Sequence, residues 1–232
     1  MVVSASYATS SGLYQNLKYD PVKSFAPVIL FTSAPNVAMV HPTLPAKSMK
    51  DLIALAKASP GKLNIGSAGT GSITHLAGEL FQDMAKIDIT HVPYKGGGPA
   101  LNALIANQIH IAIQSITASA GHIQTGRLRA LGVTSAKRSP LLPDVPAISE
   151  TVSGYEATNW YGMLAPAGTP RAIVTKLNAQ VRETLNTPEM ADAIKKQGAQ
   201  PEGGTPEDFG QYLRNEIVKW SKVIKATGLK PE

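Results

Sequence analysis

A short apolar run, a loop of glycine and hydroxyl residues, and an amphipathic helix succeed one another over residues 65–80, and this succession constrains the chain more than any other part of it. From Ser72 onward Ile73, Leu76, Ala77, Leu80, Phe81 and Met84 recur at i, i+3 and i+4, which predicts a helix beginning near Ser72 with one apolar face. The first turn of such a helix leaves backbone N–H groups without intrahelical partners, and the aligned peptide dipoles add partial positive charge there. Gly66, Gly69 and Gly71 let the preceding backbone approach a bound group, while Ser67, Thr70 and Ser72 contribute hydroxyl donors. The loop therefore reads as a seat for a carboxylate, phosphate or sulfate, with no residue that would carry out chemistry on it. An ordinary capped strand-to-helix turn is the alternative.

Three sharper motifs fail on the letters. A nucleotide P-loop needs a lysine where Ser72 stands, although Gly66 and Gly71 have the spacing. A dinucleotide fingerprint needs a third glycine at the position of Thr74. Neither Ser67 nor Ser72 lies in the G-x-S-x-G frame of a nucleophile elbow.

The same pattern recurs downstream. Residues 87–92 alternate as a strand and end in a tyrosine, lysine and glycine loop, Tyr94 to Gly98, with Pro99 opening a helix that carries Ala100, Leu101, Leu104 and Ile105. Residues 109–113 form a third apolar strand that delivers Gln114 and Ser115 to another helix, and residues 128–133 a fourth. Alternation at this pace predicts an α/β fold of mainly parallel sheets flanked by helices, with ligands taken beyond the carboxyl ends of the strands. The loops at Ser67, Tyr94 and Gln114 would then converge on one edge.

Around this region the organisation differs. Residues 2–3 read as the end of a strand running into a hydroxyl-rich loop over residues 4–12, and residues 25–31 as a strand with Pro27 at its edge or start. The break at residues 33–36 reads as a crossover between lobes. A strand at 159–165 marks the return, followed by helices opened by Pro170, Pro188 and Pro206. The predicted division is a discontinuous first lobe, residues 1–33 and 160–232, and a second lobe, residues 34–159.

With 232 residues, 43% of them hydrophobic and 16% charged, the chain has ample core-forming material. Its net charge of +6 is spread along the sequence with no basic stripe interleaved with aromatics, so nucleic acid is not an expected partner, and acidic ligands are mildly favoured. Without cysteine there is no thiol catalysis, disulfide or cysteinyl metal site. The histidines His41, His91, His110 and His122 lack metal-ligand spacing, so neither metal nor cofactor is expected. No apolar run approaches the ~20 residues of a membrane span, and the amino terminus lacks the charged and apolar regions of an export signal.

The order of Tyr19-Asp20-Pro21, Pro60-Gly61-Lys62-Leu63, the loop from Ser67 to Glu79, Val92-Pro93-Tyr94-Lys95-Gly96, Arg129-Ala130-Leu131, Asp144-Val145-Pro146 and the stretch from Gly162 to Pro170 resembles the Bug proteins. These are extracytoplasmic solute receptors of tripartite tricarboxylate transporters, and the resemblance runs through the whole sequence. It implies a two-lobed flytrap that closes on a small carboxylate in the periplasm, acts as a monomer and passes its cargo to membrane transporter subunits, without entering the membrane itself.

Carried over position by position, the resemblance assigns the ligand to Ser67, Ala68, Thr70, Gly71, Ser72 and His75, and to Tyr94, Lys95 and Gly96, chiefly through backbone amides. Ser4 and Ser6 would belong to the facing loop of the first lobe. Members of the family carry an export signal, a first strand and a proline and glycine loop ahead of the point where this sequence begins, which implies a first lobe lacking its N-terminal part and a weakened grip on the ligand. Many members also carry an aspartate where Gln114 stands; the substitution disfavours an amino-acid ligand and favours a di- or tricarboxylate. The rival reading is an enzyme acting on an acidic metabolite, with His75 as general base beside Ser72 or Thr70 but no second catalytic partner. A third keeps the receptor and sends its closed form to a signalling protein.

Overall fold

The computed structural model describes residues 1–14 and 16–229. In chain order its elements are β1 (Val2–Ser4), α1 (Ala5–Leu13), β2 (Phe25–Ala34), β3 (Asn36–Val40), α2 (Met49–Ala58), β4 (Asn64–Ser67), α3 (Ile73–Ala85), β5 (Thr90–Pro93) and α4 (Gly97–Ile105). There follow β6 (Ile111–Ser115), α5 (Ile116–Gln124), β7 (Arg129–Val133), a 3-10 turn (Ile148–Glu150), β8 (Asn159–Pro166), α6 (Arg171–Leu185), α7 (Pro188–Lys196), β9 (Gln200–Gly203) and α8 (Pro206–Thr227). The chain divides into two compact units, one made of Met1–Ala34 with Asn159–Glu232 and the other of Pro35–Thr158.

The first unit is built on a four-stranded sheet in the order β1-β8-β2-β9. All three of its strand pairs are antiparallel, which corrects the expectation of mainly parallel sheets. The reason lies in connectivity: β2 carries the chain out of this unit and β8 carries it back, so the two run in opposite directions as neighbours. Pro27 sits where β2 has β8 on one side only, since β9 pairs from Leu30 onward, so its missing N–H leaves no ladder bond unmade. Val28, Ile29, Ala165, Val174 and Leu185 form one apolar cluster. On α8, Phe209, Leu213, Trp220, Val223 and Ile224 are buried, and Trp160 is fully enclosed beside Phe209 and Tyr212. Its neighbour Tyr161 is exposed on the opposite face of the strand.

Residues 5–13, expected as loop, form helix α1. Hydroxyl residues ordinarily compete with helix by bonding to nearby backbone. Here Thr9 and Ser10 both donate to the Ser6 carbonyl and Ser11 donates to that of Ala8, so the hydroxyls are satisfied within the helix. Burial of Ala5, Tyr7, Ala8 and Leu13 decides the outcome. Gly12 permits close approach to α8, since a Cβ there would lie 2.8 Å from the Ile224 side chain.

The second unit holds a five-stranded sheet in the order β5-β4-β6-β3-β7. The pairs β4–β5 and β4–β6 are parallel, whereas β3 runs antiparallel to both β6 and β7. The parallel strands are thus those that end in the polar loops, and their carboxyl ends share one edge. Val37, Met39, Leu101, Leu104, Ile109, Ala112 and Val133 pack as the core behind that edge. Helix α2 opens on a side-chain cap: the Asp51 N–H donates to Ser48 Oγ at 3.1 Å, and the Asp51 carboxylate accepts from the Lys47 N–H at 2.9 Å.

Candidate ligand-binding site

The loop between β4 and α3 is tied down more thoroughly than its composition suggests. The Ala68 amide donates to Thr74 Oγ1 at 3.0 Å, the Gly69 amide to Ser67 Oγ at 3.1 Å, and the Gly71 amide to His75 Nδ1 at 3.0 Å. The Ser72 amide bonds to the Gly69 carbonyl, and the His75 amide is capped by Ser72 Oγ at 3.2 Å. Positive φ at Gly69 and Gly71, 124° and 76°, lets the loop fold back on itself in this way. Three of the expected donors, the amides of Ala68, Gly71 and Ser72, are therefore already bonded within the protein. Among the described residues the amides of Thr70, Ile73 and Thr74 have no acceptor, and these are what the loop offers to an anion.

The side chains divide into a back layer and a front layer. Ser67, Thr74 and His75 are buried behind the loop, whereas Ala68, Thr70, Gly71 and Ser72 are half-buried at its surface. Neither ring nitrogen of His75 is open: Nδ1 accepts from Gly71, and Nε2 lies 3.4 Å from Glu79 Oε1. The ring also stacks on that of His91, centroids 3.6 Å apart and planes 10° from parallel. His75 is thus placed as a support of the loop, with no lone pair available to act as a general base.

The loops after β5 and β6 meet the first one. The Tyr94 amide donates to the Ser67 carbonyl at 3.1 Å and the Gly96 amide to the Ala68 carbonyl at 3.2 Å. The Tyr94 ring lies over Gly66, where a Cβ would sit 3.3 Å from it. Lys95 is exposed and has no ion-pair partner among the described residues. Gly96 precedes α4, whose N-terminus carries no side-chain cap.

Gln114, the penultimate residue of β6, is 5% exposed and directed at that N-terminus, with its Oε1 2.6 Å from where a Cβ on Gly97 would be. Its Nε2 is buried without a hydrogen-bond partner. Two uncommitted backbone segments and one unpaired amide donor therefore share the edge of the β5-β4-β6 strands. Ser4 and Ser6 belong to the first unit, at the start of α1, where their hydroxyls bond to each other at 2.7 Å.

Two features escaped the sequence. His91 stands on a strand whose alternation is clear, but nothing in the letters pairs its ring with His75. Asn36, with an unpartnered buried Nδ2, was absorbed into the break before β3, although an amide heading an apolar run was a visible signal. Among the described residues no group of three or more histidines, aspartates or glutamates is placed to hold a metal ion, and no helix is long and apolar enough to cross a membrane.

A family model described as the tripartite tricarboxylate transporter family receptor matches residues 1–229. The chain belongs to this family. Among curated relatives, it is 37% identical over 213 residues to the UPF0065 protein in the tcbD-tcbE intergenic region of Pseudomonas sp. (strain P51), covering 91% of this chain and 63% of that one. With protein BugT of Bordetella pertussis it shares 34% identity over 230 residues, 98% of this chain and 70% of the other. The chain thus spans about two thirds of the length of these relatives.

Among solved structures, R. palustris Rpa4515 with adipate matches at 39% identity and a TM-score of 0.83, covering all of this chain and 78% of its own. MatC from Rhodopseudomonas palustris with bound malate matches at 30% identity and a TM-score of 0.76, over 96% of this chain and 78% of that one. The periplasmic binding protein BugD matches at 30% identity and 0.80, over 100% and 78%. The fold is that of the α/β periplasmic binding proteins, and the family is one of solute receptors.

Proposed function

We propose that this chain is a solute-binding receptor that holds a small di- or tricarboxylate on the loops following β4, β5 and β6, leaves it chemically unchanged, and delivers it in the periplasm to the membrane subunits of a tripartite tricarboxylate transporter. The observation that carries this reading is the buried, unpartnered Nε2 of Gln114, set beside the uncapped start of α4. A buried donor without an acceptor is costly, and a ligand oxygen placed there removes the cost. The loop amides of Thr70, Ile73 and Thr74 and the exposed ammonium of Lys95 add donors of the same sign. Gln114 offers no negative charge to a ligand ammonium, so the reading favours acids without an amino group. Adipate and malate, held by the two relatives above, are acids of this class.

Turnover has no comparable support, because the imidazole that would serve as base is committed on both sides. Calorimetric titration with adipate, malate and aspartate tests the proposal. Binding of adipate or malate, which lack an amino group, in preference to aspartate is expected. Gln114→Leu should weaken it about tenfold or more, the worth of a hydrogen bond to a charged group. Absence of binding by any acid, or equal affinity in the variant, would defeat the reading.

A further inference from the structure

Behind the loop lies a feature that the binding reading does not use. His75 and His91 stack face to face at 3.6 Å, and each ring holds one part of the loop: His75 Nδ1 takes the Gly71 amide, and His91 Nε2 is 2.6 Å from Ser67 Oγ, the oxygen that accepts from the Gly69 amide. We propose that His75, backed by the His91 ring, positions the ligand loop only while its own imidazole is neutral, so that capture of the acid falls away under acidic conditions. The proposal rests on the loop being the ligand seat.

The chemistry follows from which nitrogen carries the proton. Because the Gly71 N–H points at Nδ1, that nitrogen must present a lone pair, and the neutral ring carries its hydrogen on Nε2, toward Glu79. Protonation at Nδ1 sets two N–H groups against each other and expels the Gly71 amide. Among the described residues, Glu79 from its own helix, His91 from β5 and the uncharged Gly71 amide from the loop face the His75 ring. Glu79 gives an added charge a partner on the far side of the ring, so the disruption falls on the loop side. Across the stack, a second imidazolium at 3.6 Å would be repelled by the first. An imidazolium would also attract the ligand. Yet His75 is only 3% exposed and lies behind the amides it would displace, so loss of the loop outweighs that attraction.

The discriminating substitution is His75→Asn, whose Oδ1 takes the place of Nδ1 as acceptor for Gly71 and does not titrate. In the ligand-free, nitrogen-15-labelled chain, the Gly71 amide resonance is followed between about pH 8 and pH 5, the range in which imidazoles change charge. Adipate and malate affinities are measured by calorimetry at both ends. The expected result is a Gly71 resonance that titrates in the wild-type chain and stays fixed in the variant. The wild type should also lose at least about fivefold more affinity on acidification than the variant does, the worth of one hydrogen bond. The variant carries the protonation of the acid itself, so the difference between the two proteins is the readout.

A Gly71 resonance that ignores the titration overturns the proposal, as does an equal loss of affinity in both proteins. If Gly71 follows the titration while neither protein binds either acid at any pH, the coupling of the histidines to the loop is supported and the receptor reading is the one that fails.

Discussion

Glu216 is held between two indoles. Its Oε2 accepts from Trp160 Nε1 at 3.0 Å and from Trp220 Nε1 at 2.9 Å, its Oε1 pairs with Lys219, and only 5% of the residue is exposed. A carboxylate is tolerated there because two indole N–H groups and the Lys219 ammonium engage its oxygens. Glu216→Leu leaves two buried N–H groups unpaired and should lower the unfolding free energy by about 2–4 kcal/mol in urea denaturation, whereas Glu216→Gln keeps an acceptor and should cost less. A second carboxylate works at the surface. Arg138 grips Glu150 through both of its oxygens at 2.9 Å, and the Ala147 amide adds a third bond. The Arg138 hydrogen bonds foremost, and then the Ala147 amide, draw the Glu150 carboxyl down to about 2. A depressed acid stabilises the fold above its ordinary titration range and loses that contribution as pH falls toward 2. Arg138→Met should therefore raise the Glu150 midpoint in a carbon-13 titration and move the acid-unfolding limb to higher pH.

At the scale of elements, strand β8 passes so close to α8 that Gly162 has no room for a side chain. A Cβ there would lie 2.3 Å from Phe209 Cζ, on a ring wedged against Trp160. Gly162→Ala should cost about 1–3 kcal/mol, measured by thermal unfolding, with far-ultraviolet dichroism unchanged below the transition. Elements with local signals were legible in the sequence. Ser48 with Asp51, and Thr205 with Asp208, mark their helices because the cap residues and their partners are three apart in the chain. Helix α1 was not legible, since the surface that stabilises it lies on α8, more than two hundred residues away. Strand direction in the first unit was hidden for the same reason: β8 and β2 are paired across the whole second unit. The glycine loop was recognisable from its letters, but the assignment of its amides was not. Whether the Gly71 N–H faces a ligand or His75 depends on side-chain geometry that spacing does not encode.

At the scale of the molecule, Thr134 gathers both ends of the second unit. Its Oγ1 accepts from the Asn36 amide at 2.9 Å, its own amide donates to the Asn36 carbonyl, and its carbonyl accepts from the Ala157 amide. Residues 35–158 thus begin and end at one buried residue and enclose an apolar core of their own. That segment, produced alone, should give a single cooperative melting transition, and Thr134→Val should lower it by about 1–3 kcal/mol through the orphaned Asn36 N–H. A non-cooperative, dye-binding fragment would contradict this. In the first unit Ala34 and Asn159 face each other as the last rung of the β2–β8 ladder. Topologically, β2 and β8 are the two arms of a hairpin whose turn has been replaced by an entire folded module. Because closure entropy grows only logarithmically with loop length, such a replacement costs little. A tight Asn-Gly turn spliced between Ala34 and Asn159 would return the hairpin to its simplest form and free the module for transplantation into another scaffold.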